Sequence, residues 1–371
     1  MTDRKTKIVI SDFHIGGGHK KGAVNYYDEF TYDDEFYEFL DYYSSGEYEP
    51  QEVELIINGD FFDMIKVSVD GKYPDKITEA VAINKLKQCL DGHPKVEEGL
   101  KMFASRPNKS ITYMPGNHDI DMIFPAAAKM FKERLTSPEN RDSVNVITDR
   151  DSIVLEGGVH VHHGHQFEAN NSFDYANILV KKSLTGANLE EPFIRIPWGT
   201  LFLLKVIIPL KNERFFIDHI RPFNYYVKWG LIYDTFFTLK LVAKGAYYWL
   251  KTRLNLLTQP GLPFSKGFQK LIDTIIFYPS LENYASRILK RTRGVHTVIM
   301  GHDHYERCRS YGEDKLYINT GTWVKMISLD APHIGESLRR PYALVEYAGK
   351  ETTVTLMDWH GSYKICTPIR Y

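Results

Sequence analysis

Short apolar runs, each closed by a polar cluster, recur along the first third of the chain. Residues 6–11 read as a buried strand that stops at Asp12-Phe13-His14, with Gly16-Gly17-Gly18 behind it to let backbone approach a ligand. Residues 53–58 form the next such run and end in Gly59-Asp60-Phe61-Phe62-Asp63. Ile111-Thr112-Tyr113-Met114 is the third, ending in Pro115-Gly116-Asn117-His118-Asp119. Between these runs the spacing turns helical. Phe36, Phe39, Leu40 and Tyr43 predict an amphipathic helix over about 31–44, and a longer helical stretch over about 76–105 should break near Gly92-His93-Pro94. His93, ahead of the proline, is expected on a surface loop. Strand, helix, strand, helix, strand with a polar cluster after each strand is the α/β signature.

Residues 144–162 alternate around Gly157-Gly158 and predict a hairpin whose second strand ends in the run His160 to His165. Over about 170–290 the strand signal fades, and aromatic and basic residues take over. Residues 201–208 are strongly apolar but too short to span a bilayer, and residues 229–257 predict one long helix with Lys240, Lys244 and Lys251 on a single stripe. Strands return at 296–300, before Gly301-His302-Asp303-His304, and at 315–319, before Thr320-Gly321-Thr322-Trp323. Runs near 342–347 and 353–358 are expected to complete a second sheet.

Composition narrows this picture in three ways. With 371 residues, 43% hydrophobic and 25% charged, the chain has an ordinary globular make-up and can bury a large core. A net charge of −1 argues against a uniformly basic nucleic-acid binder, yet the charge is uneven. Residues 26–54 hold eleven acids and no Lys or Arg, whereas residues 197–257 hold nine bases and three acids, a local balance of +6. Three cysteines (Cys89, Cys308, Cys366) without paired spacing fit a reducing compartment. With no signal-peptide pattern at the polar N-terminus, the expectation is a cytoplasmic protein.

The strand-end residues then form one chemical set: Asp12, His14, Asp60, Asn117, His163, His302 and His304. Among the four clustered histidines, His163 directly precedes the glycine and is the expected ligand. His165 is assigned to substrate, and His160 and His162 to structure. Seven oxygen and nitrogen ligands exceed the needs of one metal and suit two, and the absence of cysteine favours manganese, iron or zinc over soft-metal sites.

These motifs, Asp-x-His, Gly-Asp-x-x-Asp, Gly-Asn-His-Asp, His-Gly and Gly-His-x-His, resemble those of the calcineurin-like metallophosphoesterase superfamily. The resemblance covers roughly residues 1–170 and 290–330. It implies a four-layer αββα sandwich, here with a large helical insertion: core over 1–170, insertion or cap over 171–290, core again over 291–371. It also implies two divalent ions, taken as Mn²⁺ with iron or zinc as alternatives. Asp12, His14, Asp60 and His304 would hold the first ion. Asp60, Asn117, His163 and His302 would hold the second, with Asp60 bridging. A hydroxide bridging the ions would attack phosphorus in line, with His118 as general acid or phosphate-stabilising imidazole and Asp63 as its orienter. Asp119 is left without a role.

Within the superfamily the ending Tyr317-Ile318-Asn319-Thr320-Gly321-Thr322-Trp323 and the long insertion are similar to the UDP-2,3-diacylglucosamine pyrophosphatase group. The chain departs from it by carrying His118 where typical members carry Arg, and by a longer insertion. A lipid-linked phosphate or diphosphate substrate is therefore expected, with residues 197–257 as a membrane-facing element on the inner face of a membrane. The insertion can equally be read as a cap, a dimer arm of a homodimer or a helical subdomain packed on the core. Two other functions fit the motifs. One is a DNA-repair nuclease of the same superfamily, disfavoured by the acidic segment beside the first motif. The other is a non-catalytic scaffold on this fold, disfavoured because no ligand position is lost.

Overall fold

The computed structural model describes residues 4–19, 25–183, 186–221, 223–253, 280–312, 314–329, 334–362 and 367–368. Seven strands make the first sheet. In spatial order they are β17 (Thr367–Pro368), β16 (Glu351–Asp358), β15 (Pro341–Ala348), β1 (Arg4–Ile10), β2 (Glu52–Asn58), β3 (Lys109–Met114) and β4 (Val144–Val146). β1 to β4 run parallel, and β15 closes antiparallel on β1. The second sheet has the order β11 (Glu306–Ser310), β12 (Leu316–Thr320), β10 (Thr297–Met300), β6 (Val159–His162), β5 (Ser152–Leu155), with β6, β10 and β12 parallel.

Strand period two explains how the sheets stack. On β1, Ile8 and Ile10 face one way and Val9 the other; on β2, Leu55 and Ile57 oppose Ile56. Ile8, Ile10, Leu55 and Ile57 pack under helices α1 (Asp33–Tyr42), α2 (Glu79–Gly92), α3 (Pro94–Ser105) and α4 (Pro125–Leu135). Val9 and Ile56 pack against Val159, Val161, Ile299 and Ile318 of the second sheet. That sheet's other face, carrying Val298, Met300 and Tyr317, is covered by Leu281, Ala285 and Leu289 of a helix numbered α9 below, Leu281–Arg291. Helix, sheet, sheet, helix is the αββα order.

The chain leaves this core after β6 and returns at β10. In between lie a hairpin of β7 (Leu179–Lys182) and β8 (Asn188–Ile194), then α5 (Trp198–Phe202), a π-helical turn over Leu203–Ile207 and α6 (Ile208–Lys211). Pro209 lacks the amide that would continue the α-helical ladder, which fits the irregular turn just before it. β9 (Ile220–Arg221) joins β13 (Met326–Ser328) and β14 (Gly335–Ser337) in a small sheet. Helices α7 (Phe223–Tyr233), α8 (Thr235–Arg253) and α9 follow.

Four expectations change. The last strands β15 and β16 belong to the first sheet, because β15 pairs with β1. Residues 144–146 join that sheet through β3, so the hairpin is only β5–β6. The excursion contains the β7–β8 hairpin. The helix expected over 229–257 is two helices that meet at Asp234, and its residues 254–257 lie outside those described. Cys89 and Cys308 are free thiols, and Cys366 also lies outside the described residues. No helix among the described residues is long and apolar enough to cross a membrane.

Candidate metal centre

Five parallel strands deliver their carboxyl ends to one place. Asp12 follows β1, Asp60 follows β2, Asn117 follows β3, His163 follows β6, and His302 and His304 follow β10. Three triads result, in each of which the ligand atoms lie within 4.8 Å of one another: Asp12, His14 and His304; His14, Asp60 and His118; Asp60, His163 and His302. Asp60 belongs to two of them and so connects the two halves of the site.

The backbone is held in an unfavourable form to achieve this. Asp12 (φ 56°), His14 (51°), Asp60 (51°), His302 (73°) and His304 (65°) all occupy the left-handed region. Asp and His tolerate it better than branched residues, but each such residue still stores on the order of 1–3 kcal/mol. The glycines beside the ligands are required by close approach. A Cβ on Gly116 would stand 2.2 Å from Asp60 Oδ1, and one on Gly301 would stand 2.3 Å from Asp12 Oδ2.

The polar atoms fit a pair of cations. His163 Nδ1 donates to the Asn58 carbonyl at 2.7 Å, which leaves Nε2 as the electron-pair donor, 3.1 Å from Asp60 Oδ2. Asn117 Oδ1, Asp60 Oδ2, His163 Nε2 and His302 Nδ1 are all buried without a hydrogen-bond partner among the described residues. In the other half, His14 Nε2 and His304 Nε2 face each other at 2.9 Å, with Asp12 Oδ1 3.5 Å from His304 Nε2. Buried acceptors gathered without donors are costly unless a cation satisfies them.

The buried carboxylates draw positive charge to this place. Burial alone would raise the Asp60 carboxyl, but the His163 and His118 imidazoles hold it well below the usual carboxylate range. Burial works against the His163 imidazolium, yet Asp60 and Asp12 push its pKa up to about 10. Asp12 goes the other way, raised by burial and by the nearby Asp60 in spite of His163.

Of the expected catalytic pair, His118 places Nδ1 2.9 Å from Asp63 Oδ1, and its backbone amide donates to Asp60 Oδ1 at 2.8 Å. With Nδ1 engaged by Asp63, Nε2 is the other ring nitrogen, and the ring also groups with His14 and Asp60. His165, assigned to substrate from the sequence, is fully buried, its ring 5.4 Å from that of His163, and reaches no surface in this structure. His160 and His162 lie on β6 outside the triads.

Three residues carry more than the sequence reading allowed. Glu168 Oε2 accepts from His302 Nε2 at 3.0 Å and fixes which His302 nitrogen faces the site. Its signal, a carboxylate three residues past His165, is too weak to notice without the fold. Asp119 corrects an expectation. Fully buried, it accepts from the amides of Gly116 (2.6 Å), Asp60 (3.2 Å) and Phe61 (2.9 Å) and from the Tyr113 hydroxyl, tying the second motif to the third. Arg221 of β9 donates from Nη1 to the Asp218 carbonyl at 2.9 Å, and its charge also bears on the Glu168 carboxylate. Its charge reaches the centre: burial, then His14 and then Arg221 push the His304 imidazole well below its usual range.

His93 is a further correction. It is buried, with Nε2 2.8 Å from Asp28 and Nδ1 2.9 Å from Asp33. The Asp28 carboxylate accepts from the Gly16 and Gly18 amides, so His93 braces the glycine loop behind the first motif.

No protein-family profile and no curated protein matches the chain. Among solved structures it is similar to a dimetal phosphatase from Danio rerio, at 10% identity over all of both chains and a TM-score of 0.40. It is also similar to Vps29 complexed with zinc from Entamoeba histolytica, at 12% identity over 98% of each chain and a TM-score of 0.31. A phosphopantetheinyl hydrolase from Mycobacterium tuberculosis matches at 13% identity, over 90% of this chain and 92% of that one, with a TM-score of 0.29.

Proposed function

We propose that this chain is a dinuclear metal-dependent phosphoesterase that cleaves a phosphodiester or diphosphate bond. The observation that carries the reading is the buried donor set centred on Asp60, with four unpartnered ligand atoms on Asp60, Asn117, His163 and His302. Asp12, His14, Asp60 and His304 would hold one ion, and Asp60, Asn117, His163 and His302 the other. Such a pair, when bound, neutralises phosphoryl oxygens and activates water at neutral pH.

The chain's own groups supply the rest. His118 Nε2, set by the Asp63 contact, donates to a phosphoryl oxygen or to the departing oxygen. Arg221 offers a fixed cation from the excursion. A groove of about 700 Å³ opens beside His304 and is lined by Tyr305, Arg307, Met326, Ser328, Ile334 and Leu338. The groove also holds Glu282, Glu306 and Glu336 against Arg307, Arg309 and Arg339, so it mixes both charges with apolar side chains and suits a substrate that has polar and apolar parts.

The lipid-linked version of this reading draws on α7 and α8. Ile232 (71% exposed), Tyr233 (77%) and Phe236 (91%) present apolar surface to solvent in a segment rich in lysine, a composition suited to an anionic lipid surface. UDP-2,3-diacylglucosamine is the reference substrate for this version.

The test is a substrate panel with Mn²⁺: bis-p-nitrophenyl phosphate, nucleoside diphosphate-linked lipids, nucleotides and DNA, with metal analysis of the purified chain. Two ions per chain and turnover of a diester or diphosphate are expected. A chain that binds no metal and turns over nothing would be the scaffold, and DNA as the sole substrate would make it a nuclease. For the lipid surface, co-sedimentation with phosphatidylglycerol vesicles should weaken when Lys240, Lys244 and Lys251 are neutralised; unchanged binding counts against it.

A further inference from the structure

A second buried charge cluster lies beside the metal centre, outside the motif residues. Lys66, at the end of the short helical turn Met64–Lys66 that follows Asp63, places Nζ 3.1 Å from Asp63 Oδ2, 2.9 Å from Glu29 Oε1 and 2.7 Å from Asp218 Oδ2. Lys211, at the end of α6, lies 2.7 Å from the same Asp218 oxygen and also pairs with Glu29. His219 Nε2 is 2.8 Å from Glu29 Oε1. Lys66 and Lys211 are buried, at 8% and 3% exposure.

Glu29, Asp218 and His219 have ligand atoms close enough for a third cation. The space between the two carboxylates is instead served by two ammonium groups of the chain itself. A cluster of this kind is expensive to desolvate and persists only when its charges are mutually paired.

The cluster connects to the chemistry through one carboxylate. Asp63 turns Oδ1 to His118 Nδ1 and Oδ2 to Lys66, with His14 Nδ1 3.6 Å from the latter oxygen. Oδ1 is hydrogen-bonded to the imidazole and Oδ2 is ion-paired with the ammonium, without hydrogen-bond geometry, so the charge on one side restrains the carboxylate that orients the ring on the other. Lys66 is in turn fixed by Asp218, which stands just ahead of β9 in the excursion. β9 is anchored on the core by β13, where the Ile327 amide donates to the His219 carbonyl at 3.1 Å.

We propose that Lys66 is a positioning residue for His118, acting through Asp63, and that the excursion between β6 and β10 supplies the carboxylate, Asp218, that holds it in place. This rests on the phosphoesterase reading for its kinetic consequence alone; the wiring itself is a matter of geometry. The excursion then completes the catalytic geometry.

The experiment compares wild type, Asp218→Asn, Lys66→Met and Lys66→Arg, each loaded with Mn²⁺ for kinetics on bis-p-nitrophenyl phosphate. Imidazole ¹⁵N spectra of the metal-free proteins are recorded alongside. Asp218→Asn keeps the shape of the side chain, so it preserves the argument if Lys66→Met does not fold. A misplaced catalytic group should lower kcat roughly 10- to 100-fold with KM nearly unchanged. Both ions should be retained, Lys66→Arg should recover much of kcat, and the His118 Nδ1 resonance should move in Asp218→Asn. Combining Asp218→Asn with Lys66→Met should cost less than the sum of the two. Wild-type kcat in Asp218→Asn, loss of an ion in step with kcat, or an unmoved His118 resonance would each overturn the proposal. If wild type hydrolyses no probe, the phosphoesterase reading fails, and the His118 resonance alone decides the wiring.

Discussion

Glu168 Oε2 accepts the Nε2 proton of His302 at 3.0 Å, while Nδ1 of the same ring is buried without a hydrogen-bond partner among the described residues. The carboxylate sets the tautomer and turns Nδ1 toward Asp60 and His163. Asn171 Nδ2 donates to the same oxygen at 2.7 Å and fixes Glu168 in turn. Replacing Glu168 by Gln removes the charge that enriches the ring, and partners of this kind are worth about 10- to 100-fold in metal affinity. The expected result is a weaker second ion with the first retained, read by metal titration of Glu168→Gln.

His118→Ala separates metal binding from turnover. His118 Nδ1 is taken by Asp63, and in the proposed assignment the ring meets substrate while the seven ligands are supplied by other residues. Two ions per chain should remain, and kcat should fall by about 10²- to 10⁴-fold. Wild-type turnover in this variant would remove His118 from the chemistry.

Asp119→Ala tests the tie between the second and third motifs. It strands the buried amides of Gly116, Asp60 and Phe61 and the Tyr113 hydroxyl. Each unmet buried donor costs about 1–3 kcal/mol, so a total loss of at least about 3 kcal/mol is expected in urea unfolding of the metal-free protein. A loss below about 1 kcal/mol would show that water replaces the carboxylate.

His93 gives the metal-free protein a pH dependence. Burial alone would lower its pKa, but Asp28 and Asp33 raise it from 6.5 to about 9. The folded value lies above the unfolded one. The stabilisation is therefore complete below pH 6.5 and is lost as pH rises through about 9. Its size is roughly 3 kcal/mol as an upper bound. Stability of wild type should fall across that window, and His93→Gln should start lower and fall less.

The strand-end cluster was legible because it is written locally. A buried strand stops and leaves Asp, Asn or His at its end, so Asp12, Asp60, Asn117, His163, His302 and His304 can each be found within a few residues. The layered fold followed from the same alternation, as Val9 and Ile56 on one face and Ile8 and Leu55 on the other show.

Tertiary structure decided what depends on distant register. β15 lies beside β1 because of backbone pairing across more than three hundred residues, which no local pattern encodes. His93 is buried because Asp28 and Asp33 fold over it, and Asp119 gains its role only when β2 and β3 end side by side. Glu168, Lys66 and Asp218 are ordinary charged residues in sequence. They gain buried partners only because the fold brings them within 3.1 Å of one another. Strand-end chemistry is set by short-range backbone geometry, whereas the groups that orient it are set by long-range packing.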